Sequence, residues 1–208
     1  MRSDAPFVLT MVTDRSRLPT GGLVACALEV ARAGVDAVQV REKDLHDGAL
    51  RALAAAVREA LGPEAARVFV NGRPDVALAA GAHGVQLPED GLPVAGVKDA
   101  FPSLVVGASC HSVEAVRRAA DEGADFVLLG PVFATPGKEA RALGIGVLAA
   151  AVSAVRIPVY AIGGVTPDAV ATLRAAGARG AAAIRPFHGG RAEAAVRAFR
   201  AAERGAIT

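Results

Sequence analysis

The chain has 208 residues, and hydrophobic residues make up 52% of them. This length suits one domain with a substantial core, so we expect residues 1–208 to form a single domain. The net charge of only +2, from interspersed acidic and basic residues, argues against a nucleic-acid-binding surface.

The sequence also argues against export and membrane insertion. No uninterrupted apolar run reaches the roughly 18 residues that a membrane-spanning helix needs. The first six residues lack the layout of a secretory signal, and Cys26 and Cys110 are too few for a disulfide framework. We therefore expect a cytoplasmic protein without membrane or nucleic-acid partners, and the sequence leaves a homo-oligomer open.

A helix-like run that ends in glycine and leads into a short apolar strand occurs four times. The glycines Gly34, Gly81, Gly123 and Gly177 are separated by 47, 42 and 54 residues, which is the spacing of two helix–strand units. A helix often ends on a left-handed residue, and glycine adopts that conformation without a Cβ clash.

Further segments between these repeats complete a regular alternation. The predicted strands, short and nearly all apolar as in sheets buried on both faces, are Phe7–Val12, Ala37–Arg41, Arg67–Val70, Gly84–Leu87, Val105–Ser109, Phe126–Leu129, Val159–Ile162 and Ala181–Ile184. The predicted helices cover about residues 21–33, 46–61, 74–80, 93–100, 112–122, 145–155, 167–176 and 190–203. Thr166 and Pro167 predict the start of the seventh helix, as an N-cap followed by proline.

Eight β–α units in about 200 residues predict an α/β fold of the (β/α)₈ TIM-barrel type, with an open doubly wound sheet as the alternative. Active sites of such barrels lie at the carboxyl ends of the strands. Polar segments follow the predicted strands at 13–14, 41–43, 71–73, 89–90, 109–111, 135–138, 163–164 and 185–190. This end of the barrel is therefore the predicted functional face.

Two anion sites are predicted on that face. Gly163 and Gly164 let backbone N–H groups approach a phosphate, although a tight turn without a ligand is the alternative. Arg41, Lys43 and Lys138 could together hold a larger anion such as diphosphate, whereas the alternative is surface salt bridging with Glu42 or Asp44. The loop from Thr135 to about residue 144 is long enough for a lid, or else is a disordered insertion.

Other candidates are weaker. His111 follows the fifth strand and could transfer a proton near neutral pH, although a lone histidine is often structural. Glu89 and Asp90 could bind Mg²⁺, although the first turn of a helix also favours acidic residues. His83 lies at the opposite end of the barrel, and we expect no part in chemistry for it.

Five segments resemble, in order and spacing, the thiamine phosphate synthase superfamily, which also contains a thiazole tautomerase. They are Val38–Lys43, Val70–Ala77, Gly107–Ser112, Gly130–Lys138 and Ala161–Val165. The resemblance covers about residues 7–190. It implies a thiamine-biosynthesis enzyme that couples hydroxymethylpyrimidine diphosphate to thiazole phosphate and releases diphosphate, with Mg²⁺ as cofactor.

The resemblance also implies roles for individual residues. The positions that it assigns to the pyrimidine and its diphosphate are Gln39, Arg41, Lys43, Asn71, Ser109 and Lys138. Those assigned to the thiazole phosphate are Thr135, Gly163, Gly164 and the backbone around Ile184, beside Arg185. The candidate catalytic residues are His111, Lys138 and Arg41.

Several positions depart from the synthase pattern. Gly72 stands where a metal-binding aspartate is expected, which leaves Asp90 as a weak candidate ligand. Arg185 replaces a serine, Gly137 replaces a threonine, and the Gln86–Asp90 segment is one residue short. The alternative functions are therefore a thiazole tautomerase, which needs no metal and would use His111 as acid and base, and a non-catalytic barrel that binds thiazole or thiamine phosphate. A sugar-phosphate epimerase would need paired histidine and aspartate metal ligands, which we do not find.

Overall fold

The computed structural model describes residues 7–19, 22–63, 65–135, 141–188 and 190–206, and in these the predicted strands and helices alternate as expected. The strands are β1 (Val8–Val12), β2 (Ala37–Val40), β3 (Arg67–Asn71), β4 (Gly84–Leu87), β5 (Val105–Cys110), β6 (Phe126–Leu129), β7 (Val159–Ile162) and β8 (Gly180–Ala183). The helices are α1 (Gly22–Ala33), α2 (Asp47–Leu61), α3 (Pro74–Ala79), α4 (Val94–Ala100), α5 (Val113–Asp121), α6 (Gly144–Ala154), α7 (Val170–Ala175) and α8 (Ala192–Gly205).

The strands form a closed parallel barrel, because β8 pairs with β1 as well as with β7. The prediction of a (β/α)₈ barrel is confirmed, and the open-sheet alternative is wrong. The four repeat glycines all have positive φ, between 65° at Gly81 and 112° at Gly34. They end the helices that precede the even-numbered strands, as predicted. None of the helices in the described ranges is long and apolar enough to cross a membrane.

The seventh helix differs from its prediction. Pro167–Ala169 form a 3₁₀ turn, and the α-helix begins only at Val170. Thr166 precedes this turn in an extended conformation, but its side chain makes no capping hydrogen bond. The loop after β7 therefore faces the peptide groups of a short turn, and a long helix with an aligned dipole is absent at this point.

Side-chain alternation along the strands divides the core into an outer layer under the helices and a smaller interior cluster around Val12, Leu128 and Ala182. Below that cluster, three aromatic rings meet: Phe126 lies 5.4 Å from Phe69 and 5.2 Å from Tyr160 between ring centroids. Glycines on the neighbouring strands leave room for these rings. A Cβ at Gly107, for example, would lie 2.4 Å from the ring of Phe126.

Candidate active site at the carboxyl ends of the strands

Three predicted binding residues lie at the carboxyl ends of the strands, and a fourth, Gln39, lies below them in the barrel interior. Gln39 lines the barrel interior and is 3% exposed, and Arg41, two residues later, is half-buried just beyond β2. Asn71 ends β3 and Ser109 precedes the last residue of β5, and both are half-buried. Arg41, Asn71 and Ser109, which the resemblance assigns to one ligand, thus lie at one end of the barrel.

Glu42 is a buried carboxylate that joins the loops after β1 and β2, and it is 6% exposed. It accepts a hydrogen bond of 2.5 Å from Thr13 Oγ1, and its two oxygens lie 3.2 Å from the Arg15 backbone nitrogen. The Arg15 guanidinium lies 3.4 Å from Glu42 and 2.5 Å from Asp44. Hydrogen bonding to Arg15 lowers the pKa of Asp44, so this carboxyl group is ionised at neutral pH.

This network leaves two cations free. Both carboxylates next to Arg41 and Lys43 in the chain are bound by Arg15. In the part of the chain that the structure describes, neither Arg41 nor Lys43 forms a salt bridge, so the expected alternative of pairing with Glu42 or Asp44 is not observed. Two positive charges are therefore available to an anion beyond the end of β2.

A cavity of about 440 Å³ lies between the loops after β2 and β3, lined by Lys43, Asn71 and Gly72, among others. Arg73 also borders it, but its guanidinium pairs with Asp47 and lies 2.6 Å from Asp75. Its hydrogen bonds lower the pKa of both aspartates. Lys43 is thus the cation of this cavity that has no carboxylate partner among the described residues.

Gln86 is a polar residue that the sequence analysis did not select. It lies on β4, is 1% exposed, and its Nε2 donates a hydrogen bond of 3.1 Å to Ser109 Oγ on β5. The signal for it was a glutamine between Val85 and Leu87 in an otherwise apolar strand. Because the amide occupies one face of Ser109 Oγ, it orients the hydroxyl group that the resemblance assigns to the pyrimidine.

His111 is exposed at the end of β5 and is held at two points. Its backbone N–H donates to Glu89 at 2.7 Å, and its ring Nδ1 lies 2.5 Å from the carbonyl oxygen of Gly130. Since a carbonyl can only accept, Nδ1 carries the proton, and Nε2 of the neutral ring is a proton acceptor. This tautomer suits proton transfer at Nε2.

The acidic residues after β4 provide a sparse set of metal ligands. Glu89 is engaged by the His111 N–H and lies 3.7 Å from Arg118, whereas Asp90 is exposed. Gly72 lies near this segment, since a Cβ there would be 3.6 Å from the ring of Pro88. Within the described ranges, no three His, Cys, Asp or Glu side chains form a metal-binding group. Asp90 alone fits Mg²⁺ only where substrate phosphate oxygens and water complete the coordination.

Gly163 and Gly164 bring the loops after β6 and β7 into contact. Their φ values are 93° and 64°. A Cβ on Gly163 would lie 2.5 Å from the Pro131 side chain, and a Cβ on Gly164 would lie 2.5 Å from the Ala134 carbonyl oxygen. Phe133 N–H donates to the Gly163 oxygen at 3.0 Å. The N–H groups of both glycines donate to no backbone carbonyl of the described residues, so they remain available to a ligand.

The loop after β8 is tied to the loop after β1 by His188. Its Nδ1 lies 2.6 Å from the Ile184 oxygen, and its Nε2 accepts from the Asp14 N–H at 3.1 Å. The neutral ring satisfies both contacts at once. Arg185 lies exposed in the 3₁₀ turn Arg185–Phe187, next to the predicted thiazole phosphate position.

Two other predictions concern the loop after β6. Thr135 is half-buried and is the last residue that the structure describes before the gap at residues 136–140. Lys138 belongs to residues 136–140 of the predicted lid, and these lie outside the described residues.

The two cysteines take no part in this site. Burial raises the pKa of the Cys110 thiol to about 12 and also raises the pKa of Cys26. Cys26 Sγ lies 3.1 Å from the Phe187 carbonyl oxygen, in the core. Neither thiol is ionised near neutral pH, so neither is an activated nucleophile.

Comparison with known proteins identifies the family. The model of the thiamine monophosphate synthase family matches residues 9–187. The chain belongs to this family. A thiamine-phosphate synthase of Methanoculleus marisnigri is 44% identical over 174 residues, 82% of each chain. That of Caldanaerobacter subterraneus is 40% identical over 192 residues, 90% of this chain and 89% of the relative.

A solved structure agrees with this assignment. The thiamine phosphate pyrophosphorylase of Pyrococcus furiosus superposes with a TM-score of 0.88 at 32% identity, covering 97% of this chain and 98% of the other. The family expected from the five sequence segments is therefore confirmed. Within this thiamine monophosphate synthase fold, the free cations, the buried Glu42 and the glycine pair all lie on loops at one end of the barrel.

Proposed function

We propose that the protein is a thiamine phosphate synthase, which joins hydroxymethylpyrimidine diphosphate to thiazole phosphate. In this reaction the bond between the pyrimidine methylene carbon and the diphosphate oxygen breaks, and diphosphate leaves with the electron pair. The thiazole nitrogen then uses its lone pair to form a bond with the same carbon. The protein must hold two anions close together and stabilise the negative charge that develops on the leaving oxygen.

The observation that carries this proposal is the pair of cations after β2, Arg41 and Lys43, which form no salt bridge with any described residue. Arg15 binds both Glu42 and Asp44, so these carboxylates do not hold Arg41 or Lys43, and both cations can bind a diphosphate. Lys138 would add a third cation. The guanidinium of Arg41 would bind two phosphate oxygens at once, and Lys43 would follow the charge as it moves to the leaving group.

The remaining residues would orient the two rings and the second phosphate. Asn71 on β3 and the Ser109 hydroxyl on β5, which Gln86 on the intervening β4 holds, would contact the pyrimidine. The N–H groups of Gly163 and Gly164 would receive the thiazole phosphate, with Thr135 and the Ile184 backbone alongside. Asp90 would hold Mg²⁺, which when bound would neutralise part of the diphosphate charge.

The direct test is turnover. Purified protein with both substrates and Mg²⁺ should form thiamine phosphate and diphosphate in equal amounts. Arg41→Gln and Lys43→Gln should each lower kcat/KM by about 10²-fold, as does removal of one group that stabilises transition-state charge. Arg51→Gln, on the exposed face of α2, is the matched control and should retain full activity. Equal activity in all three variants would contradict the proposed diphosphate site.

Gly72→Asp tests the magnesium part of the proposal. Gly72 has a φ of 71°, which aspartate tolerates at a cost of about 1 kcal/mol, and the nearest atom to its Cβ is at an ordinary contact distance of 3.6 Å. The added carboxylate should lower the Mg²⁺ concentration for half-maximal rate. Gly72→Asn, with the same shape and no charge, should leave that concentration unchanged. Identical Mg²⁺ curves for the two variants would contradict a metal site beside residue 72.

A thiazole tautomerase is the second candidate, and the geometry of His111 favours it. The Gly130 carbonyl fixes the proton on Nδ1, so Nε2 can accept and return a proton. With the non-aromatic thiazole tautomer and no metal, a tautomerase would aromatise the ring, and His111→Ala would abolish this activity. Aromatisation without any thiamine phosphate formation would replace the synthase proposal, and binding without either turnover would indicate a non-catalytic barrel.

A further inference from the structure

A second cavity lies in the lower half of the barrel interior, below the site proposed above, and Gln39 and Gln86 line it where the two meet. It encloses about 300 Å³ and is lined from β1, β2 and β3 by Thr10, Ala37, Gln39 and Phe69, and from the opposite wall by Phe126 and Tyr160. Its rim includes Arg67, which begins β3 and is exposed. The cavity therefore opens at the amino ends of the strands, opposite to the predicted active site.

The deep wall of this cavity carries polar groups that the protein does not satisfy. Thr10 is 7% exposed and Gln39 is 3% exposed. Neither side chain makes a hydrogen bond to any residue that the structure describes, and the polar atoms of both are accessible from the cavity. Buried hydroxyl and amide groups nearly always have a partner, because an unmade hydrogen bond is unfavourable in a low-dielectric interior. A partner for them has to come from the cavity itself.

The aromatic residues that line the cavity favour a ligand with a flat, apolar ring. Phe69, Phe126 and Tyr160 form a continuous aromatic surface, with ring centroids 5.4 and 5.2 Å apart. Aromatic rings pack favourably against other rings in offset or edge-to-face geometry. A cavity of 300 Å³ is at the small end for ligand sites, so it matches a compound with one ring.

The residues at the rim favour a ligand that carries a negative charge. Asp36 also lines the rim, but its carboxylate accepts from the Leu9 N–H at 2.6 Å and pairs with Arg200. Arg67 has no such partner among the described residues. Arg67 and Gln39 are two residues apart in register across β2 and β3, which is about 7 Å along a strand and spans one aromatic ring.

We propose that this cavity is a second binding site, and that it takes a small planar heteroaromatic acid. The ring lies among Phe69, Phe126 and Tyr160, its polar edge pairs with Thr10 and Gln39, and its carboxylate faces Arg67. The cavity opens at the amino ends of the strands, so this inference does not rest on the proposed synthase activity, and the cavity shares the Gln39 side chain with the proposed synthase site.

Nicotinate serves as the probe, and nicotinamide as its uncharged match. Tyr160 is the only tyrosine in a chain without tryptophan, so protein fluorescence reports on this cavity alone. Nicotinate should quench it with a Kd below about 1 mM, and nicotinamide should bind more weakly. Methyl NMR signals of Val8 and Val105, which line the cavity, should shift, whereas those of Val165, after β7, should not.

Two variants separate this site from other modes of binding. Arg67→Gln should weaken nicotinate binding about tenfold and leave nicotinamide binding unchanged, because only the charged contact is lost. Ala37→Leu should fill the cavity and abolish binding of both. Arg117→Gln, exposed on α5, is the control and should bind as the parent does. No quenching by nicotinate, shifts confined to Val165, or equal nicotinate affinity in Arg67→Gln would each overturn the proposal.

Discussion

The Thr13 hydroxyl makes two hydrogen bonds that hold the loop after β1 to the loop after β2. It donates to the buried carboxylate of Glu42 and accepts from the Arg41 N–H, at 2.5 and 2.9 Å. The first bond holds the Glu42 side chain in place beside Arg15. The second fixes the backbone from which the Arg41 side chain starts. One hydroxyl thus supports both the acid that Arg15 binds and the cation that no described carboxylate binds.

Thr13→Val should therefore be unusually destabilising for a change of nearly constant volume. It removes one hydrogen bond to the charged Glu42, worth about 1.5–3 kcal/mol, and leaves the Arg41 N–H without its acceptor, which costs about 1–3 kcal/mol. We expect the free energy of unfolding in urea to fall by about 2–4 kcal/mol. Thr172→Val, exposed on α7, is the control and should change it by less than about 0.5 kcal/mol. Equal unfolding midpoints for the two variants would contradict this account.

His83, at the opposite end of the barrel, has a structural role that depends on the protonation of its ring. Its Nδ1 accepts from the Val68 N–H at 2.9 Å, so the folded state requires the neutral ring at that atom. Burial, together with Arg58 and Arg67, lowers its pKa. The neutral ring thus contributes stability above the unfolded pKa of about 6.5, and this contribution is lost as the pH falls through the lower folded pKa.

His83→Asn isolates this effect, because asparagine offers an oxygen where histidine offers Nδ1 and cannot be protonated. We expect the parent to lose stability relative to the variant as the pH falls from 7.5 to 5, about the window of histidine titration. Urea unfolding of both proteins across that range measures the difference. A stability difference that does not change with pH would refute the proposed linkage.

At the scale of the elements, glycines on the strands decide how the barrel interior is filled. Gly84, Gly107 and Gly180 lie on strands whose neighbours carry the rings of Phe69, Phe126 or Tyr160. The missing side chains leave space that these rings occupy. The aromatic layer and the lower cavity both result from this pairing of absent and large side chains.

Gly84→Ala should destabilise the barrel although alanine suits a strand no worse than glycine. The new Cβ would lie 2.1 Å from the Val105 carbonyl oxygen and 2.8 Å from the Phe69 ring, so the backbone of β5 would have to move. We expect a loss of about 1–3 kcal/mol or more in the free energy of unfolding. Gly146→Ala on α6 meets no atom within 4 Å and should instead stabilise by about 0.5–1 kcal/mol. Opposite signs in thermal unfolding are the expected result, and equal signs would contradict it.

The elements themselves were predictable because their signals are local. Apolar strands, helix-ending glycines and polar loops at one end follow from the order of residues, and every strand and helix was predicted within a few residues. The 3₁₀ turn at Pro167–Ala169 was not predicted, because Thr-Pro favours the first turn of either helix type. The salt bridge between Arg15 and Glu42 joins residues that are 27 positions apart, so no local sequence pattern could predict it.

At the scale of the whole molecule, one side chain links the first and last parts of the barrel. The Arg200 guanidinium on α8 donates to the Gly34 oxygen at 2.8 Å and to the Phe7 oxygen at 2.8 Å. It also pairs with Asp36 and with Glu203, and Glu203 in turn accepts from the Phe7 N–H at 3.0 Å. These contacts tie α8 to the start of β1 and to the segment between α1 and β2.

Arg200→Ala should show how much barrel closure depends on this link. The arginine side chain is 18% exposed, and its removal takes a charged donor away from two carboxylates and two backbone oxygens at once. Breaking a largely buried ion pair costs about 3–5 kcal/mol, so we expect the free energy of unfolding in urea to fall by that order.

Arg197→Ala, on the same helix, is the matched control. Arg197 is 71% exposed and, among the described residues, forms a salt bridge with Glu193 one turn away, so its loss should cost less than about 1 kcal/mol. Because the Arg200 contacts lie at the amino end of β1 and the catalytic candidates at the carboxyl ends, substrate KM should stay unchanged in both variants at temperatures where they are folded. A raised KM in Arg200→Ala would mean that barrel closure sets the geometry of the active-site loops as well as the stability of the fold.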